Sequence, residues 1–112
     1  MSITTRVIDT ATGVPARGIT VILEMRQAGE WGPIGRGTTD DDGRLSTLTE
    51  GRVITPGNYQ LTFDIGTYHR DQGLTVPFFP EAKIIFNVRD VDQHYDLSLL
   101  LSPFGFSAFR QS

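Results

Sequence analysis

The segment His94–Ser112 reads HYDLSLLLSPFGFSAFRQS, and its parity decides the architecture. Tyr95, Leu97, Leu99 and Leu101 share one face and alternate with Asp96, Ser98 and Leu100. That is the period of a strand with one side in a core. The stretch FGFSAFR reads as a last strand, with Phe104 and Phe106 on one face and Phe109 on the other. A strand that is apolar on both faces has a cover on both sides. A chain of 112 residues buries only about two-thirds of its unfolded surface, so the second cover is most simply another copy of the chain.

Working outward, the same period recurs. In SITTRVID, Ile3, Thr5 and Val7 oppose Thr4, Arg6 and Ile8; in ITVILEMR, Ile19, Val21, Leu23 and Met25 form the apolar side. Gly13, Pro15 and Gly18 separate these two runs. GEWGP, which holds Trp31, reads as a turn, followed by a glycine-weakened strand in IGRGTT. Asp40–Gly43 is a turn signal immediately before Arg44. Pro56-Gly57 opens a strand in which Tyr59, Leu61 and Phe63 point one way, and KIIFNV is a further strand. GTYHRDQG is the one helical candidate, with Thr67 as N-cap, Gly73 as C′ and His69 exposed. These readings predict an all-β, two-sheet sandwich of about seven or eight strands with one short helix, as a single domain over residues 1–112.

Composition narrows the function classes. The chain is 38% hydrophobic and 21% charged, with net charge −3, which gives no general attraction to nucleic acid or to an anionic membrane. Without cysteine there is neither thiol catalysis nor a thiolate metal site, and two histidines, His69 and His94, do not make a metal site. No run is long enough to span a bilayer, and MSITTRVID lacks the apolar run of a signal peptide. A cytoplasmic location is expected. Asp40–Asp42 lacks the spacing and the closing glutamate of a calcium loop.

Several blocks together resemble the transthyretin family, and within it the bacterial 5-hydroxyisourate hydrolases. They are TRVIDTATGVPA (5–16), TDDDGR (39–44), PGNYQLTFDIGTY (56–68), FFPE (78–81) and the closing HYDLSLLLSPFGFSAFRQS. The resemblance covers essentially the whole chain. It implies a homotetramer with sites in a channel between dimers. It also implies hydrolytic opening of 5-hydroxyisourate in urate breakdown, by water and without metal or organic cofactor. The transthyretin branch instead binds hydrophobic, hormone-like ligands in that channel.

The resemblance also locates the site, and the site departs from the hydrolase pattern. Arg44 matches the arginine that follows the Asp-Gly turn. Arg6 stands where the hydrolases have a histidine, and Asp96 stands where they have a second one, in a His-Tyr-His block. The chain ends Phe109-Arg110-Gln111-Ser112 where the family has Tyr-Arg-Gly-Ser. By parity, Arg6 and Asp96 both face away from the core, and the family strand order makes them neighbours. An arginine stays protonated and cannot replace a histidine as a proton acceptor. An aspartate is a weak base unless its surroundings raise its pKa.

Two readings of Arg6 and Asp96 follow: an interface ion pair, or a retuned site. In the retuned site Arg44, Arg6 and Asp96 are the catalytic candidates, and Arg110, Ser112, Phe109 and His94 the substrate-binding ones. His94 is either a structural hydrogen-bonding residue or a substitute base. The first functional expectation is therefore a hydrolase of a cyclic amide or ureide. A binding protein without turnover is the rival, favoured by a basic residue at position 6 and by the apolar Phe109. A partner of an active paralogue is the third.

Overall fold

In a computed structural model, residues 2–111 are described. They form strands β1 (Ile3–Asp9), β2 (Val14–Pro15), β3 (Thr20–Gln27), β4 (Glu30–Thr38), β5 (Arg44–Leu45) and β6 (Gly57–Phe63). Helix α1 (Ile65–Asp71) comes next, then β7 (Ala82–Val88), β8 (Tyr95–Ser102) and β9 (Gly105–Arg110). One sheet has the order β2-β1-β8-β9, with β5 also paired to β1; the other has the order β4-β3-β6-β7. Every pairing is antiparallel except β1 with β8. The expected two-sheet sandwich with one short helix is what forms, and β2 and β5 are two-residue additions to the longer strands.

The core lies between the sheets. Ile3, Val7, Leu99 and Leu101 enter it from one side, and Val21, Leu23, Leu61 and Phe63 from the other, each at most 1% exposed. Each is the inward member of an alternating strand, and burying such a side chain stabilises by roughly 1.5–3 kcal/mol. Among the described residues no helix is long and apolar enough to cross a membrane.

Four local expectations are corrected. GEWGP is not a turn: Glu30–Pro33 belong to β4, and the turn is Ala28-Gly29, both at positive φ (52° and 80°). Pro33 is tolerated because β4 is an edge strand and its pairing with β3 shifts register there. Trp31 therefore lies on a strand, with the Arg26 guanidinium 5.7 Å from its ring centre. The helix N-cap is Asp64 rather than Thr67; its carboxylate accepts from Thr67 N at 3.2 Å and Thr67 Oγ1 at 2.8 Å. Gly73 does sit at C′ with φ 100°, where Leu74 N bonds His69 O and Gly73 N bonds Arg70 O.

His69 is buried rather than exposed, because α1 turns Ile65, Tyr68 and His69 inward. Phe104 is not on the last strand. It sits in the Pro103-Phe104 turn that joins Ser102 to Gly105, and is 71% exposed. Phe106 and Phe109 do take opposite faces. Phe106 packs its ring 5.4 Å from Phe79, and Phe109 is left 46% exposed on the outer face.

Candidate functional site

The outer face of the β1–β8 pair gathers most of the residues that the sequence singles out. In its parallel register Thr4 lies opposite Asp96, Arg6 opposite Ser98 and Ile8 opposite Leu100. On the far side of β8, Phe109 of β9 lies opposite Ser98. On the far side of β1, Arg44 of β5 lies opposite Arg6. Directly opposed residues of a ladder point to the same face. Strand pairing therefore places Arg6, Arg44, Asp96, Ser98 and Phe109 on one surface.

Arg44 is held there by its turn. Asp40 Oδ1 accepts from Asp42 N and Arg44 N, each at 2.9 Å, and Gly43 N bonds Asp40 O at 2.9 Å. Gly43 O then takes Val7 N at 2.8 Å, docking the turn on β1. Gly43 is required twice over. Its φ is +73°, and a Cβ there would run into the Val7 carbonyl oxygen.

Between this turn and the strands lies a cleft of about 280 Å³, lined by Thr4, Thr5, Asp40, Arg44, Leu45, Ser46, His94 and Asp96. One hydrogen-bonded chain runs along it. Thr4 Oγ1 donates to Asp96 Oδ1 at 2.7 Å and lies 3.1 Å from His94 Nε2, while Ser2 Oγ lies 2.7 Å from His94 Nδ1. Thr4 and Ser2 are the members that sequence reasoning missed. A hydroxyl on the outer face of β1 was visible, but its partner 92 residues away was not.

Arg6 and Asp96 share the face without forming an ion pair. Among the described residues the ion pairs are Arg17–Asp41 at 3.3 Å and Lys83–Glu81 at 3.8 Å, both exposed. Thr4 takes the place beside Asp96, and Arg6 stands one pair further along with a buried Nε that has no hydrogen-bond partner. Arg110 lies on the opposite side of the sheet. It is paired with Leu97, its guanidinium is 4.3 Å from the Tyr95 ring centre, and it donates to Gln93 Oε1 and His94 O, each at 3.0 Å. It thus grips the His94 backbone from behind the cleft. Gln111 N bonds Asp96 O at 2.7 Å, and Ser112 lies outside the described residues. Among the described residues, no three His, Asp or Glu side chains gather closely enough to hold a metal ion.

A model of the HIUase/transthyretin family matches residues 3–111. The chain belongs to that family. A 5-hydroxyisourate hydrolase of Salmonella typhimurium is 37% identical over 106 residues, spanning 95% of this chain and 77% of the relative. Among solved structures, the Klebsiella pneumoniae 5-hydroxyisourate hydrolase superposes with a TM-score of 0.84 at 31% identity, covering 99% of this chain and 98% of that one. Sea bream transthyretin in complex with thyroxine superposes with a TM-score of 0.91 at 29% identity, covering 98% and 94%. Members of the HIUase/transthyretin family thus include both a hydrolase and a ligand-bound transthyretin on this one fold.

Proposed function

We propose that the chain acts as one domain over residues 1–112, a hydrolase that opens a cyclic amide or ureide ring by attack of water. Its substrate is a small molecule from purine or urate breakdown, or a substituted relative of one. The observation that carries this reading is the cleft that brings Arg44, Asp96 and His94 together in a chain similar to enzymes named 5-hydroxyisourate hydrolase. Arg44, with Arg6 beside it, holds the ring carbonyl or an anionic oxygen and stabilises the charge that develops there. Asp96, or His94 in its place, positions the water. The water oxygen bonds the carbonyl carbon, the C–N bond breaks, and the water's proton reaches the leaving nitrogen by way of that base. Phe109 lines the mouth, Arg110 holds His94 in place, and a homotetramer channel encloses the whole.

The test is 5-hydroxyisourate generated fresh and followed spectroscopically against its spontaneous decay, beside substituted cyclic ureides. With an arginine and an aspartate in place of two histidines, 5-hydroxyisourate itself is expected to turn over slowly. A substituted ureide is expected to turn over faster. Decay at the spontaneous rate with every ring compound removes the reading. One observation favours a second reading, a binding protein: Phe109 stands 46% exposed beside Ser98 on the outer face, an apolar lip where the hydrolase pattern has a phenol. Saturable binding of an apolar ligand without turnover would establish it.

A further inference from the structure

Thr4 is the residue through which His94 and Asp96 meet, and with Asp96 a carboxylate the single Thr4 proton gives the hydrogen bonds a direction. A threonine hydroxyl has one proton to give. Asp96 as a carboxylate only accepts, so at 2.7 Å the Thr4 proton goes to Asp96 Oδ1. Thr4 Oγ1 is then left with lone pairs alone for His94 Nε2 at 3.1 Å, so Nε2 carries the imidazole proton. Neutral His94 has one N–H, so Nδ1 is the acceptor and the Ser2 hydroxyl donates to it at 2.7 Å. The three contacts then run in one direction: Ser2 to His94 to Thr4 to Asp96. Asp96 Oδ2 has no hydrogen bond from any described residue.

We propose that Ser2, His94, Thr4 and Asp96 form a single directed proton array in which Thr4 is a positioning residue, fixing His94 as the Nε2–H tautomer and leaving Asp96 Oδ2 to hold the attacking water. This rests on the hydrolase reading for its use, but not for its existence. The array compensates for the absent second histidine. Asp96 occupies that position, and His94, two residues earlier on the same face, is wired to it through a hydroxyl supplied by β1. When His94 gains a proton at Nδ1, the Ser2 hydroxyl must turn from donor to acceptor. The charge then arrives one hydroxyl away from Asp96. The other groups facing the array are Asp40 and Arg44 from the β5 turn, Arg6 one pair along β1, and Arg110 through the His94 carbonyl.

The experiment is NMR on the full chain labelled with ¹⁵N and ¹³C, reading the His94 ring nitrogens and the Asp96 carboxyl carbon across pH, for the wild type, T4V and T4S. In the wild type, neutral His94 is expected to carry its proton on Nε2, with Thr4 as acceptor. T4V removes the hydroxyl that donates to Asp96 and accepts from His94. It should shift the Asp96 carboxyl carbon and abolish the His94 preference for Nε2–H. T4S should restore both. A wild-type neutral His94 protonated on Nδ1 overturns the array outright, without needing T4V to fold; so does a T4V spectrum in which neither group has changed. If the wild type opens a ring substrate, T4V should lower kcat at least tenfold with KM held, and T4S should recover it. An array seen by NMR in a protein with no turnover on any ring compound sinks the hydrolase reading and leaves the array standing.

Discussion

Tyr68 donates its hydroxyl to Asp9 Oδ2 at 2.7 Å, tying α1 to the end of β1 across 59 residues of chain. Asp9 Oδ1 accepts from Ala11 N at 3.0 Å and Thr12 N at 3.3 Å, so the buried carboxylate is ringed by donors. Burial, and then the Asp9 hydrogen bond and charge, hold the Tyr68 phenol well above its ordinary range.

Tyr68→Phe is therefore expected to destabilise the fold by about 1.5–3 kcal/mol at neutral pH, the usual range for losing a hydrogen bond to a charged group. The sign with pH follows from a folded-state pKa above the unfolded one. The Tyr68 contribution is fully present below about pH 10, the unfolded value, and is lost as pH rises toward the folded value. Denaturant unfolding of both proteins from pH 8 upward should show the gap between them constant at first, then narrowing above about pH 10. A gap that widens there would contradict the assignment.

Gly43→Ala leaves every cleft side chain in place chemically but forces a Cβ into the Val7 carbonyl oxygen at positive φ. The turn must lift off β1, carrying Arg44 with it. The expected result is a loss of about 1–3 kcal/mol and, on any ring compound the wild type opens, a fall in kcat/KM comparable with that of Arg44→Gln. A variant with wild-type kcat/KM would separate Arg44 from the chemistry.

Arg6, Asp96, Phe109 and Gln111 meet on one surface: Phe109 faces Ser98, the partner of Arg6, and Gln111 N bonds Asp96 O. The fourfold change R6H, D96H, F109Y and Q111G restores the hydrolase pattern at all four together. It is expected to raise 5-hydroxyisourate hydrolysis at least tenfold, within what general acid–base groups supply. The gain should exceed the product of the single changes, since such residues act as a unit. A folded fourfold variant with no gain would favour the binding protein.

Phe109→Glu tests the cover on the outer face. Phe109 packs nothing in the core, so the variant should keep the wild-type circular dichroism. If a second copy of the chain covers this face, the added charge should convert the proposed oligomer to smaller species in sedimentation at micromolar concentration. A wild type that sediments as a monomer would remove the channel altogether.

What was legible in the sequence was what period two controls. The inward members of β1, β3, β6 and β8 are the residues parity assigns, since an exposed Leu99 or Val21 would forfeit its burial. The Ala28-Gly29 turn was not legible, because alanine at positive φ is a choice of the surrounding ladder and not of alanine. Asp64 and Thr67 are both good caps, and only the packing of α1 chose between them. A seven-residue helix is too short to display its period, so the inward turn of His69 left no pattern. The side of the sheet that Arg110 takes is readable from parity: it shares it with Phe106, and therefore the inner side. Thr4 as the partner of Asp96 depends on a parallel register between distant strands, which no local signal encodes.

The same register sets the order in which the molecule can assemble. β1 makes its longest pairing with a strand that begins at Tyr95, so residues 3–9 wait with an open edge until residues 95–101 have been made. A nascent chain can close the β3–β4 hairpin, then add β6 to β3 and β7 to β6, while β1 remains unpaired on that side. The closing step joins segments about as far apart as this chain allows, which places folding on the slow side for its size. The cleft, whose walls come from both segments, does not exist before that step.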